Sequence, residues 1–251
     1  MINQRESQLI GLVDASGAAG VNTGSRDLWH LVFHLVAWRD GNGRVERGNV
    51  RCEMATTKLE LAAMMKLIGP YSTVSLVIQE MTPKGVAMLE KMDVLVIDND
   101  ALDVVRDELL TPVPLATPFG VLHLERRFGS YAGEIYWDGL KVSISLNCAE
   151  QQSPDTLVAL ADTLISASDD WTKRAKAFAA DQLMSLKNDA WQDDDEDDIS
   201  RHDFMSRMTL KEISIDENGD FTFYFDDGDL FWGHSINVCG NIVEGLRTAG
   251  I

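Results

Sequence analysis

Hydrophobic and polar positions alternate in pairs along much of this chain, and the alternation is interrupted by a few segments of helical spacing. Leu28 to Trp38 is rich in β-branched and aromatic residues, and Asp40-Gly41-Asn42-Gly43 separates it from Val45 to Met54. That pattern predicts a β-hairpin. Asp14 to Ser25, rich in Gly, Ala, Ser and Asn, reads as a loop. Thr57 to Ile68 predicts a helix, with Thr56 or Thr57 as N-cap, Leu59, Ala62, Ala63 and Leu67 as its apolar face, and Gly69-Pro70 as its stop. Ser72 to Ile78 reads as a strand, Pro83 to Lys91 as a short helix and Val94 to Ile97 as a further strand.

Beyond residue 111 the pattern changes. Pro112, Pro114 and Pro118 lie close together, and proline removes a backbone donor and biases its predecessor to extended geometry. This predicts a linker and divides the chain into domains at 1–113 and 114–251. Gly120 to Arg126, Tyr131 to Trp137 and Lys141 to Leu146 alternate as strands, with a tight turn at Asp138-Gly139. Ser153-Pro154 opens a helix that buries Leu157, Leu160, Ala161 and Leu164. A second helix begins near Asp169 and presents Trp171, Ala175, Phe178, Leu183 and Leu186. Ser200 to Asp203 has the spacing of a capping box. Leu210 to Ile215, Phe221 to Phe225 and Leu230 to Val238 then form a meander, with turns at Asn218-Gly219 and Asp227-Gly228. The expected fold class is therefore α+β in two small domains. The C-terminal one is an antiparallel sheet with helices inserted between two three-stranded β segments.

Charge sharpens the picture. The formal net charge is −18, and residues 193–229 hold fourteen acids against three bases, a balance of −11. That segment starts with the run Asp193, Asp194, Asp195, Glu196, Asp197 and Asp198 and ends at Asp226-Asp227-Gly228-Asp229. Such a balance argues against nucleic-acid binding, which depends on Lys and Arg displacing phosphate counterions, and against an anionic membrane surface. It favours a basic protein partner, drawn in by electrostatic steering. Asp226, Asp229 and Trp232 join the six-acid run as candidate partner-binding residues, with Trp as an interface anchor. The six-acid run by itself has the composition of a solvated linker.

Chemistry is sparse. Cys52, Cys148 and Cys239 are widely spaced, odd in number and set in apolar runs, which fits small buried residues in a reducing cytosol. His30 and His34 share a face but lack an identifiable third metal ligand. Asp226, Asp229 and His234, with Asp227 among them, form the one cluster able to bind a metal or serve as acid and base. Turn chemistry favours the same residues. No nucleophile elbow, zinc-protease helix or phosphate-cradling loop is present, and no cofactor is implied. The expectation is a cytoplasmic, non-enzymatic interaction module of the immunity-protein kind, with a metal-dependent hydrolase as the alternative.

Phe225 to Ile236, Tyr136-Trp137-Asp138-Gly139, Leu186 to Trp191 and Ser200 to Phe204 occur in this order in the second half. In this arrangement the stretch 115–251 resembles a bacterial family known as domain of unknown function 2262. The resemblance implies a fold unit and a bacterial cytosolic setting, and it identifies no catalytic residue.

Overall fold

The computed structural model describes residues 7–22, 24, 28–40, 43–82, 85–93, 99–148, 153–192 and 197–251. Two compact units divide the chain, 1–112 and 113–251.

The first unit contains β1 (Ser7–Val13), β2 (Ala19–Asn22), β3 (Trp29–Asp40), β4 (Glu46–Thr56), α1 (Lys58–Leu67), β5 (Thr73–Met81), β6 (Val86–Asp93) and α2 (Asp100–Leu110). β3 is long enough to pair with β2 along its first half and with β1 along its second, while β4 takes its other edge. β1 also pairs with β5, β5 with β6, and β6 runs parallel to β4. The sheet thus closes on itself in the order β1-β3-β4-β6-β5-β1, with a helix between β4 and β5. This is the arrangement of the OB-fold, a Greek-key barrel. Leu31, Phe33, Leu35, Val50, Cys52, Val74 and Leu76 fill its core. Leu12 and Ala37 meet Leu102 and Val105 of α2 in a separate cluster.

Thr57 caps α1 in a complete capping box with Glu60, as the sequence predicts. The buried face differs from the expected one. Leu61 and Ile68 are buried and Met64 packs against the same core, whereas Leu59 is 83% exposed. The helix expected over Pro83 to Lys91 is instead strand β6, where Ala87 and Leu89 are buried at the two-residue period of a sheet. Pairing with both β4 and β5 overrides local helix propensity there. The strand expected at Val94 to Ile97 lies outside the described residues. β2 lies within the segment read as a loop.

The second unit begins with β7 (Pro114–Thr117), β8 (Gly120–Glu125), β9 (Ser130–Trp137) and β10 (Leu140–Asn147). The helices α3 (Asp155–Ser166), α4 (Ser168–Ala190) and α5 (Arg201–Arg207) follow. β11 (Thr209–Asp216), β12 (Asp220–Asp226), β13 (Ile236–Asn241) and β14 (Gly245–Gly250) complete the sheet. All eight strands lie side by side in the order β14-β13-β12-β11-β10-β9-β8-β7. The α+β class agrees with the sequence reading, but each β segment has four strands, and the two meet in a parallel pair, β10 with β11. The three helices supply the long crossover that a parallel neighbour requires. β7 occupies the proline-rich stretch read as a linker, and an edge strand tolerates proline's missing donor.

The helices cover one face of this sheet. Trp171 of α4 meets Phe221 edge-on at 5.1 Å, and Trp137 meets Phe223 at 5.4 Å. The Trp137 indole N–H donates to Thr172 Oγ1 at 2.7 Å, satisfying its one polar atom. Alternate residues of the strands face the other way, among them Glu134, Ser143, Glu212 and Tyr224. Among the described residues, no helix is long and apolar enough to cross a membrane.

Candidate functional site

The meander expected to continue through Leu230 to Val238 is broken, because β13 begins only at Ile236. Residues 227–235 form a tight loop built around one buried carboxylate. Asp227 is 3% exposed. Its Oδ1 accepts from the Asp229 amide at 3.2 Å, and its Oδ2 accepts from the amides of Phe231 at 2.6 Å and Gly233 at 3.2 Å. Asp226 makes a similar short turn, accepting from the Gly228 amide at 3.1 Å. Gly228, Asp229, Trp232 and Gly233 all have left-handed backbone, with φ of 55°, 70°, 52° and 84°.

This winding buries Leu230 and Phe231 completely and turns Trp232 outward, 60% exposed. The Trp232 indole does not stand alone. Its ring centroid lies 4.7 Å from that of Trp191, the residue that ends α4. Trp191 packs edge-on against Phe231 at 5.7 Å and receives the His234 ring at 5.3 Å. Its carbonyl accepts from Nζ of the buried Lys187 at 2.7 Å. His234 therefore belongs to this aromatic group.

The predicted site residues divide accordingly. Asp193, Asp194, Asp195 and Glu196 lie outside the described residues. Asp197 and Asp198 are exposed, and Asp198 accepts from Gln192 Nε2 at 3.2 Å. Asp229 and Trp232 share the loop, and Asp226 ends β12 just before it. Of the three residues of the metal reading, Asp226 and His234 line a common hollow and Asp229 is not part of its lining. Asp226 turns to the Gly228 amide and lies 3.9 Å from Lys211 Nζ, while His234 is held against Trp191. Among the described residues, no group of three or more His, Cys, Asp or Glu is placed to hold a metal ion. His34, the other histidine of interest, faces Asp14 at 3.9 Å.

A larger feature lies on the helix-free face. Glu134, Ser143, Glu212 and Tyr224 stand directly opposite one another across β9 to β12, and Glu125, Ser130, Asn147 and Asp216 form a parallel row. Between these rows runs a hollow of about 580 Å³ with Glu125, Glu134 and Glu212 in its walls. It adjoins, through Glu212, a hollow of about 230 Å³ lined by Lys211, Tyr224, Asp226 and His234. Through Phe128 and Asn147 it adjoins a third of about 380 Å³, lined by Asp216, Glu217 and Asp220. Carboxylates recur along these adjoining hollows, an acidic trough whose Asp226 end borders the Trp232 loop at Asp227, Gly233 and His234.

Two bases near the trough are tied to its acids, and a third, Arg127, lies over Phe128 in its wall. Lys141 pairs with Glu134, and that hydrogen bond raises the lysine's pKa. Arg247 pairs with Asp220 at 2.8 Å. The Asn241 amide, with Arg247 behind it, holds the Asp220 carboxyl below its ordinary value. Sequence reasoning found the acidic segment but not this placement, and it missed Glu125, Glu134 and Glu212. The available signal was parity: Glu212, Asp216, Asp220 and Asp226 all fall at even positions of two adjacent alternating strands.

Comparison with known proteins bears on this unit first. A family described as an uncharacterized protein conserved in bacteria (DUF2262) matches residues 117–251, more than half of the chain. The chain belongs to that family. The matched region of this DUF2262 protein contains the whole trough and the Trp232 loop. Residues 2–109 match a second family, a domain of unknown function (DUF7021). No curated protein matches the chain. A solved structure described as "Molecular basis for abrogation of activation of pro-inflammatory cytokines" is similar at 8% identity and a TM-score of 0.22. It covers 59% of this chain and 80% of its own, and a likeness that weak carries no inference.

Proposed function

We propose that this DUF2262 protein is a non-enzymatic interaction module that binds a basic protein partner along the helix-free face of its C-terminal unit. The observation that supports this most is the acidic trough, in which Glu125, Glu134, Glu212, Asp216 and Asp226 line adjoining hollows of one sheet face. Exposed carboxylates in a concave surface reinforce one another's potential, raise the encounter rate and reject acidic partners. Each contributes only a modest amount to affinity, so binding of this kind depends on their number and is strongly screened by salt. The three cysteines form no disulfide, which suits a reducing bacterial cytosol.

Position, not total charge, is what a test must isolate. The full chain is titrated calorimetrically with a lysine-rich peptide at low and high salt. The titration is repeated with Glu125→Gln, Glu134→Gln, Glu212→Gln and Asp216→Asn combined. A control of equal charge neutralises Asp155, Asp162, Asp169 and Asp181, which are exposed on the helices. The proposal expects salt-sensitive binding that the trough variant loses and the helix variant keeps. Equal losses in both variants, or no binding at low salt, would overturn it.

A further inference from the structure

We infer that Trp232 is the seat for an arginine side chain of the partner, the guanidinium stacking on the exposed indole face. This rests on the basic-partner reading and adds to it the identity of one contacting residue.

Trp232 combines a left-handed backbone with an exposed ring. A bulky side chain at φ of 52° is in the left-handed region that favours glycine, and its ring is nonetheless 60% in solvent. The surroundings enforce this pose, through the Asp227 carboxylate behind the loop and the Trp191 ring beside the indole. Strain maintained by an over-determined environment points towards function. A ring already fixed in place loses little rotational freedom when a ligand settles on it.

Charge selects the occupant. Asp229 belongs to the same loop, Asp226 ends the strand before it, and the acidic hollow is lined by the loop residues Asp227, Gly233 and His234, so a cation is favoured over a neutral or acidic group. Tryptophan presents the best aromatic face to a cation. Between the two candidate side chains, guanidinium is planar and weakly hydrated and lies flat on a ring, whereas ammonium is compact and holds its water. This protein uses that contact internally. Arg174 lies over Trp171 at 4.4 Å and Arg127 over Phe128 at 5.2 Å. Neither of these contacts involves Trp232, whose ring is 60% exposed.

The test uses the full chain and two peptides of equal length and charge, one carrying arginine and the other lysine. The arginine peptide is expected to bind more tightly, by up to the roughly two- to fivefold that an exposed cation–π contact is worth. Trp232→Leu should abolish that preference while leaving salt-sensitive binding of both peptides, and Trp232→Phe, which keeps an aromatic face, should retain part of it. Equal affinity for the two peptides, or a preference that survives Trp232→Leu, overturns this inference and leaves the basic-partner reading standing. Absence of binding by either peptide overturns both. If Trp232→Leu alters sedimentation of the free protein instead, Trp232 is a contact between copies of the chain and the inference falls.

Discussion

Replacing Asp227 by alanine removes the acceptor shared by three amides of the loop. The Phe231 amide is buried and bonded at 2.6 Å, so its loss leaves a donor without a partner. Such a donor costs about 1–3 kcal/mol. The Asp229 and Gly233 amides are part-buried and can turn to water, so each should lose about 0.5–1.5 kcal/mol. Relief of the desolvated carboxylate acts in the opposite direction. A net loss of about 3 kcal/mol is expected, or roughly 10 °C in the melting temperature of the C-terminal unit. Asp227→Asn keeps one acceptor oxygen and should lose about half as much. The assay is thermal unfolding of the full chain followed by tryptophan fluorescence, with the two units' transitions fitted separately. The Trp191–Trp232 pair should also report local loosening as a red shift in emission before the main transition. An Asp227→Ala protein whose C-terminal transition coincides with wild type would refute the view that this carboxylate organises the loop.

Three other outcomes follow from the geometry. Gly228→Ala places a Cβ at φ of 55° and 2.6 Å from the Arg207 carbonyl oxygen, so it should destabilise the same unit by about 1–3 kcal/mol, read from the same melts. Cys52 is fully buried and its thiol is pushed up to about 12, so alkylation under mildly alkaline conditions should reach it only when the barrel unfolds, after Cys148 and Cys239. Mass spectrometry finding Cys52 modified first would contradict that order. Asp220 titrates below its ordinary value of 3.8, so its contribution to stability is complete above that value and is lost as pH falls through the lower, folded-state value. Asn241→Ala removes the first cause, and the NMR titration midpoint of Asp220 should move up toward 3.8; an unchanged midpoint would show that the amide does not set it.

The parts of this fold that could be read in advance are those set by neighbouring residues. Asp138-Gly139 adopts left-handed φ values of 48° and 76°, as a tight hairpin turn demands. Ser200 caps α5 through the Asp203 amide, and Thr57 does the same for α1. Features set by distant pairing were not legible. Nothing local to β3 reveals that one edge serves both β1 and β2, which is what closes the barrel. The parallel join of β10 and β11 depends on three helices between them, and β7 looked like a linker because proline is excluded only from strands paired on both sides. The site behaved similarly. Asp226, Asp229 and Trp232 stood out by composition, but Asp227 was grouped with them as possible chemistry and proved to be the buried centre of the loop. Carboxylates from four separate strands meet on one face only once the sheet order is known.

The most direct test of an acidic, arginine-seeking face is amide chemical-shift mapping of the full chain as an arginine-rich peptide is added at low salt. The account predicts changes along β9 to β12 and in residues 226–235, fading as salt is raised. Changes confined to α3 and α4 or to the N-terminal unit, or none at all, would contradict it.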